Sequence, residues 1–297
     1  MKRRLVRRSA LTGVLAATGL MATACPPMEP PVIPSQNFTF KANSVTVNTS
    51  NDKGVCVLGV CVPPARDEPF VINIGFKVTI GQPNSATTQI ITGDNAWPGL
   101  IQQGPGEGSS HTFTGGQQAI TPLSNIPMLD VLDLAGGQKL TVAGVWSWGM
   151  EADLYSPGGI TASANVLRTA LNQFLAGGAP ITDANQIVTI ILNALGVGGV
   201  FSYLGANLGS IFFGDDAIGS KLYIGVGTRG ALSDIVQGSA GSAVFPSIDI
   251  PVVNVPPDIR GGAIFSLGAG DRTLSGQSFT NGGVSGRHTY SFSLAGA

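Results

Sequence analysis

From Asn37 onward, apolar and polar residues alternate along much of the chain. Phe38-Thr39-Phe40-Lys41, Ser44-Val45-Thr46-Val47-Asn48, Phe70 to Ile80 and Lys139 to Trp148 all follow a period of two. That period sets one face of a β-strand against a core and the other toward solvent. Val, Ile and Thr are residues that fit a pleated surface, and Gly, Pro and Asn bound each run. The same pattern returns over Lys221 to Val226, Ala243 to Val255, Gly262 to Leu267 and Gly286 to Leu294. Many short strands between Gly-rich turns predict a mainly β chain built as a β-sandwich.

The middle of the chain changes period. Val166, Leu167, Ala170, Leu171, Phe174 and Leu175 fall at helical spacing within Ser163 to Ala176, and Gly177-Gly178-Ala179-Pro180 ends that helix. Thr182 or Asp183 is placed to cap a second helix beginning near Ala184. Between Asn185 and Gly214 there is no charged residue, and Ile187 to Phe213 is apolar with many glycines. Three readings of this stretch stand side by side. It is a buried helical hairpin covering one end of the sandwich, a membrane-inserting element, or an apolar interface for a partner. Gly205-x-x-x-Gly209 suits close helix approach, while the glycines lower helix propensity in water. The expected organisation is therefore a signal peptide over 1–24, a Pro-rich tether over 25–36, and one domain over 37–297. That domain is a sandwich with an inserted helical hairpin at about 160–213.

Composition narrows the function classes. Charged residues make up 11% and Gly accounts for 42 of 297 positions. Disorder needs high charge and low hydrophobicity, so it does not describe the bulk of this chain. There is no basic stripe to track phosphates, which argues against a nucleic-acid partner, and no Gly-X-Y period.

The N-terminus reads as an export signal. Lys2, Arg3, Arg4, Arg7 and Arg8 precede an apolar run from Ser9 to Ala22 that is too short to span a bilayer. Met21-Ala22-Thr23-Ala24-Cys25 resembles the relaxed form of a bacterial lipoprotein signal. That resemblance implies cleavage before Cys25 and a diacylglycerol on its thiol. Arg7-Arg8 followed by Leu11 also resembles a twin-arginine signal without its usual Phe. Removing the first 24 residues takes away five of 16 basic residues and none of 17 acidic ones, which leaves 11 against 17, a net charge of −6. With Cys25 as the anchor, Cys56 and Cys61 remain as a pair around Gly59. An exported protein meets oxidising conditions, so a Cys56–Cys61 disulfide is expected. Two Cys with no nearby His make a poor zinc set.

Acidic residues gather at strand ends: Asp67-Glu68, Asp94, Glu151 with Asp153, and Asp215-Asp216. Sandwich loops converge at one end, and clustered carboxylates suit a hard cation such as Ca²⁺. The candidate cation ligands are Asp67, Glu68, Glu151, Asp153, Asp215 and Asp216. Asp67-Glu68-Pro69-Phe70, Met150-Glu151-Ala152-Asp153 and Asp215-Asp216-Ala217-Ile218-Gly219 occur in an order similar to that in a loose group of exported bacterial β-sandwich proteins resembling C2 domains. The resemblance spans about Arg66 to Val226 and implies a C2-like or jelly-roll-like sandwich. It also implies a Ca²⁺ site, although this chain is poorer in acids than that group.

Enzyme signatures are thin. Gly225-Val226-Gly227-Thr228-Arg229-Gly230 matches G-x-G-x-x-G, but a dinucleotide site needs a long helix inside a βαβ unit. Ala231 to Gln237 followed by Gly238-Ser239-Ala240-Gly241 reads as too short for one, so turn glycines are expected. His111 and His288 are the two histidines, with no G-x-S-x-G or H-E-x-x-H beside them. Glu151 and Asp153 share a strand face, as a glycosidase pair would. Trp146 and Trp148 share another and read as core. No catalytic residue is assigned. The expected protein is an exported, lipid-anchored binding or structural module on the outer face of the cell membrane. It is reached by the membrane through its lipid and by an envelope component or protein partner. A membrane-inserting or pore-associated protein using 187–213 is the first alternative, and an envelope hydrolase the second.

Overall fold

The computed structural model describes residues 32–50, 56–57, 60–61, 67–93, 106–151, 157–196, 198–208, 216–248, 258–280 and 286–297. The expected signal peptide, Cys25 with most of the tether, Asp94, Asp153 and Asp215 lie outside these residues.

The first strand, β1 (Ser35–Thr49), alternates as its sequence does, burying Phe38, Phe40 and Ala42. A register break between Ala42 and Ser44 shifts the buried row onto Val45 and Val47. The short strands β2 (Cys56–Val57) and β3 (Val60–Cys61) pair with one another, Cys56 opposite Cys61. The remaining strands are β4 (Pro69–Thr79), β5 (Thr87–Thr92), β6 (Ser110–Thr112), β7 (Thr121–Pro127), β8 (Thr141–Glu151), β9 (Asp216–Val226), β10 (Ser247–Ile248), β11 (Ile259–Ser266), β12 (Arg272–Thr280) and β13 (Arg287–Gly296). The helices are α1 (Val131–Ala135), α2 (Pro157–Leu171), α3 (Ile187–Leu195), α4 (Val200–Leu208) and α5 (Gly230–Gly241).

Two sheets face each other. One runs β12-β13-β1-β6, with β7 also on β1, and the other runs β10-β11-β9-β8-β4-β5. The chain is mainly β and sandwich-like, as its periodicity predicts. Phe40 meets Tyr223 across the gap at a ring separation of 5.3 Å, and Phe292 stacks on Phe40 at 5.2 Å. This inter-sheet layer is rich in aromatics: Phe113, Phe279, Tyr290 and Phe292 join it.

A third layer covers the other face of the six-stranded sheet. Ile72, Ile74, Trp146, Trp148, Leu222 and Ile224 belong to the same core as Leu167, Leu171, Ile191, Leu204 and Val236 of the helices. β4 and β8 are therefore buried on both faces, and β8 has no accessible residue along its length. Their alternation does not separate core from solvent. From Trp146 onward it separates large residues from small ones: Trp146, Trp148 and Met150 point to the helices, while Ser147 and Gly149 point to the second sheet. The polar residues on that inner row are satisfied internally. Ser147 Oγ donates to Asn73 Oδ1 at 2.6 Å, and Asn73 Nδ2 donates to Ala119 O at 2.8 Å.

The uncharged stretch forms two nine-residue helices, α3 and α4, separated around Gly196 to Gly199. Each is about 14 Å long at 1.5 Å per residue, well below the ~30 Å of a bilayer core. Each turns its apolar row inward, with Ile187, Ile191 and Leu195 on one and Val200, Leu204 and Leu208 on the other fully buried. Burial of a side chain of this size stabilises by about 1.5–3 kcal/mol.

Candidate functional site

The register across the six-stranded sheet explains where the acidic residues go. Pro69 pairs with Glu151, and Glu151 pairs with Asp216. Asp67 and Glu68 precede β4 directly, so Asp67, Glu68, Glu151 and the backbone of Asp216 share one end of that sheet. The side chains of Asp67, Glu68 and Glu151 do not ring an open site. Asp67 and Glu151 are fully buried and Glu68 nearly so. Among the described residues, no group of three or more His, Cys, Asp or Glu is arranged to hold a metal ion.

What meets Asp67 is His288, 221 positions away in sequence. β13 buries every second residue, so His288 lies in the same inward row as Tyr290, Phe292 and Leu294. His288 Nε2 sits 2.8 Å from Asp67 Oδ2, and His288 Nδ1 sits 3.2 Å from the Tyr290 hydroxyl. One arrangement satisfies all three groups: Nε2–H donates to the carboxylate, and the Tyr290 O–H donates to Nδ1. Ser50 Oγ donates to the other oxygen of Asp67. All four groups are polar, and Asp67, His288 and Tyr290 have no accessible surface.

The chain Ser50–Asp67–His288–Tyr290 spans the sandwich. Ser50 follows β1, His288 and Tyr290 lie on β13 of the same sheet, and Asp67 leads into β4 of the opposite one. Tyr290 reaches this position because Gly149 on β8 has no side chain. A Cβ there would lie 2.7 Å from Tyr290 Cε2 and 3.0 Å from its hydroxyl. Burial, together with the charges of Asp67 and Glu151, pushes the Tyr290 phenol well above its ordinary value. An Asp–His pair orients an imidazole for proton transfer in many enzymes. Here the three groups have no accessible surface, and the bonds link β1, β13 and the start of β4 across the two sheets.

The G-x-G-x-x-G run departs from the expectation of turn glycines. It leads from β9 into α5, a full twelve-residue helix, and the chain returns in β11, parallel to β9. A βαβ unit is thus present where the sequence left only Ala231 to Gln237 for a helix. Its glycines are packed against protein. A Cβ at Gly225 would meet Leu267 Cδ2 at 2.5 Å, and one at Gly227 would meet Pro127 O at 2.4 Å. Close approach of neighbouring chain segments explains both glycines without a phosphate. Arg229, at the start of α5, binds Asp130 at 2.7 Å and Asp133 at 3.0 Å, and its Nε donates to Met128 O at 2.9 Å.

The other candidates are placed as follows. Trp146 and Trp148 are core, edge to face at 4.8 Å, and Trp146 Nε1 donates to Ser220 Oγ at 2.9 Å. His111 contacts Gln117 at 3.1 Å near the sandwich rim, about 180 positions before His288 in the chain. Cys56 and Cys61 are opposed in register. The chain matches no protein-family model, no curated protein and no solved structure.

Proposed function

We propose that this chain is an exported, lipid-anchored and non-enzymatic module of the cell envelope, acting by binding or as a structural element. Cys25 is the lipid attachment point, and the mature chain stands on the outer face of the cell membrane. A Cys56–Cys61 disulfide staples the small β2–β3 hairpin. One structural observation carries the non-enzymatic part of this reading. Asp67, Glu151 and His288, the groups best suited to acid–base chemistry, are turned into the interior and have no accessible surface. They support a rigid scaffold whose outside does the work.

The test is metabolic labelling of the full-length protein with a clickable fatty acid, alongside membrane fractionation. Label on the wild type and its loss in Cys25→Ser, with release of that variant into the soluble fraction, are the expected results. An unlabelled wild type overturns the anchor. The membrane-inserting reading draws on one observation: Ala184–Leu208 has a mean hydropathy of 1.9 and about half of it is buried. Under that reading Cys25→Ser stays in the membrane after carbonate extraction.

A further inference from the structure

The chain enters the sandwich beside α1. Ile33 packs against the helix-side core, Met128 N donates to Pro34 O at 2.8 Å, and Ser35 pairs with Pro127. Leu129 N then donates to Gly227 O, and Gly227 N to Thr141 O. These bonds place α1 at the Thr141 end of β8, opposite the Glu151 end. Its first two residues, Val131 and Leu132, are exposed at 37% and 80%. Ala135, Gly136, Gly137 and Gln138 continue an exposed, uncharged surface, while Leu134 is buried beneath. The turn is held in place by its own acids. Asp130 Oδ1 accepts from Leu132 N at 2.9 Å and Asp133 N at 3.0 Å, and Asp133 Oδ2 accepts from Asp130 N at 2.9 Å. Both carboxylates also bind Arg229. Lys139, exposed, follows the turn and donates to Gly81 O at 2.9 Å.

Cys25 stands only eight residues before Ile33. Even fully extended, at about 3.6 Å per residue, that length spans about 29 Å. β1 alone, 15 residues at about 3.3 Å each, runs about 50 Å away from the point of entry. A lipid on Cys25 therefore holds the α1 end of the sandwich near the bilayer and leaves the Asp67 end remote from it. We propose that the α1 turn is the membrane-facing surface of this domain. Val131 and Leu132 enter the boundary between lipid headgroups and acyl chains, and Lys139 lies at headgroup level. The occupant is a bilayer because the short chain outside the domain ends in a lipid beside this turn. Apolar side chains next to a cation also suit an anionic lipid interface. Two such side chains are too few to bind a membrane alone; on a tethered domain they set its orientation. The inference rests on the lipid anchor at Cys25.

The test uses the lipidated protein in vesicles of phosphatidylethanolamine and phosphatidylglycerol. An environment-sensitive fluorophore is attached, without reductant, to Leu132→Cys or to Val244→Cys, with the wild type treated in parallel as the blank. Val244 is the control because it is 87% exposed and follows the far end of α5, away from Arg229. At position 132 the probe is expected about 5–10 Å into the headgroup boundary. Its emission shifts to the blue there and is quenched by lipids spin-labelled near the headgroup. At position 244 it stays aqueous and unquenched. Protein that floats with the vesicles while the probe at 132 stays aqueous, or that is quenched equally at both positions, overturns the inference and leaves the anchor standing. Protein that does not float with the vesicles overturns the anchor and the inference with it.

Discussion

Two clusters of hydrogen-bonded acids sit at different places in this sandwich, and they differ in what water can reach. Around His288, the Asp67 carboxylate, the imidazole and the Tyr290 phenol have no accessible surface. Around Arg229, the guanidinium keeps 41% of its side-chain surface and Asp130 keeps 29%, while Asp133 is buried. The distances are nearly the same, 2.8 Å against 2.7 and 3.0 Å. Solvent separates them energetically. An exposed pair is screened and contributes about 0–1 kcal/mol. A buried pair is costly to break, because removing one partner strands the other in a low-dielectric interior. The acids that looked most like a site are thus the ones most committed to the fold.

The largest effect is expected at the buried end. His288→Ala leaves Asp67 in the interior without its imidazole and is expected to lower unfolding free energy by about 3–5 kcal/mol in urea titration. Gly149→Ala attacks the same place sterically. Its new methyl meets a Tyr290 ring that has nowhere to move, and a loss of about 1–3 kcal/mol is expected.

Alkaline pH sharpens the contrast next. Tyr290 is neutral in both folded and unfolded chains below the ordinary tyrosine value of about 10. Above it the unfolded phenol ionises while the buried one, its value raised, does not. Stability is therefore fully present below about pH 10 and is lost as pH rises toward the folded value, by up to about 1.4 kcal/mol per pH unit. Tyr223, raised by burial, adds to this loss. Phenolate absorbance is expected to lag until unfolding, and Tyr290→Phe is expected to flatten the alkaline limb. The smallest effect belongs to the Arg229 cluster, where Asp130 stays solvated and the buried Asp133 keeps its bond from the Asp130 N–H; Arg229→Ala is expected to cost about 1–2 kcal/mol, part of it lost in high salt.

Sequence periodicity was enough to find β1, β4, β8, β9, β11 and β13 and the mainly β sandwich, but not β5, β6, β7 or β12, whose runs are short or polar on both faces. The helix layer was harder to read. Asn73 and Ser147 look like solvent-facing residues in an alternating strand, but helices cover the opposite face and the two bond to each other inside. α5 was hidden because Gly230, Gly238 and Gly241 punctuate it like turns, while Leu232 and Val236, one helical turn apart, carry its buried face. His288 was legible in part. The alternation His288-Thr289-Tyr290-Ser291-Phe292 places it in the apolar row. Its partner was not legible, because the match between β13 and the start of β4 is set by how two sheets stack, which no local pattern encodes.

The central claim is that Asp67 and His288 act as one structural unit inside the sandwich. A double-mutant cycle with Asp67→Asn, His288→Ala and the combined variant, read by urea unfolding, measures this directly. A coupling of about 1.5 kcal/mol or more, with the double variant much less destabilised than the two single losses added together, is the predicted result. Additive losses within about 0.5 kcal/mol would contradict it.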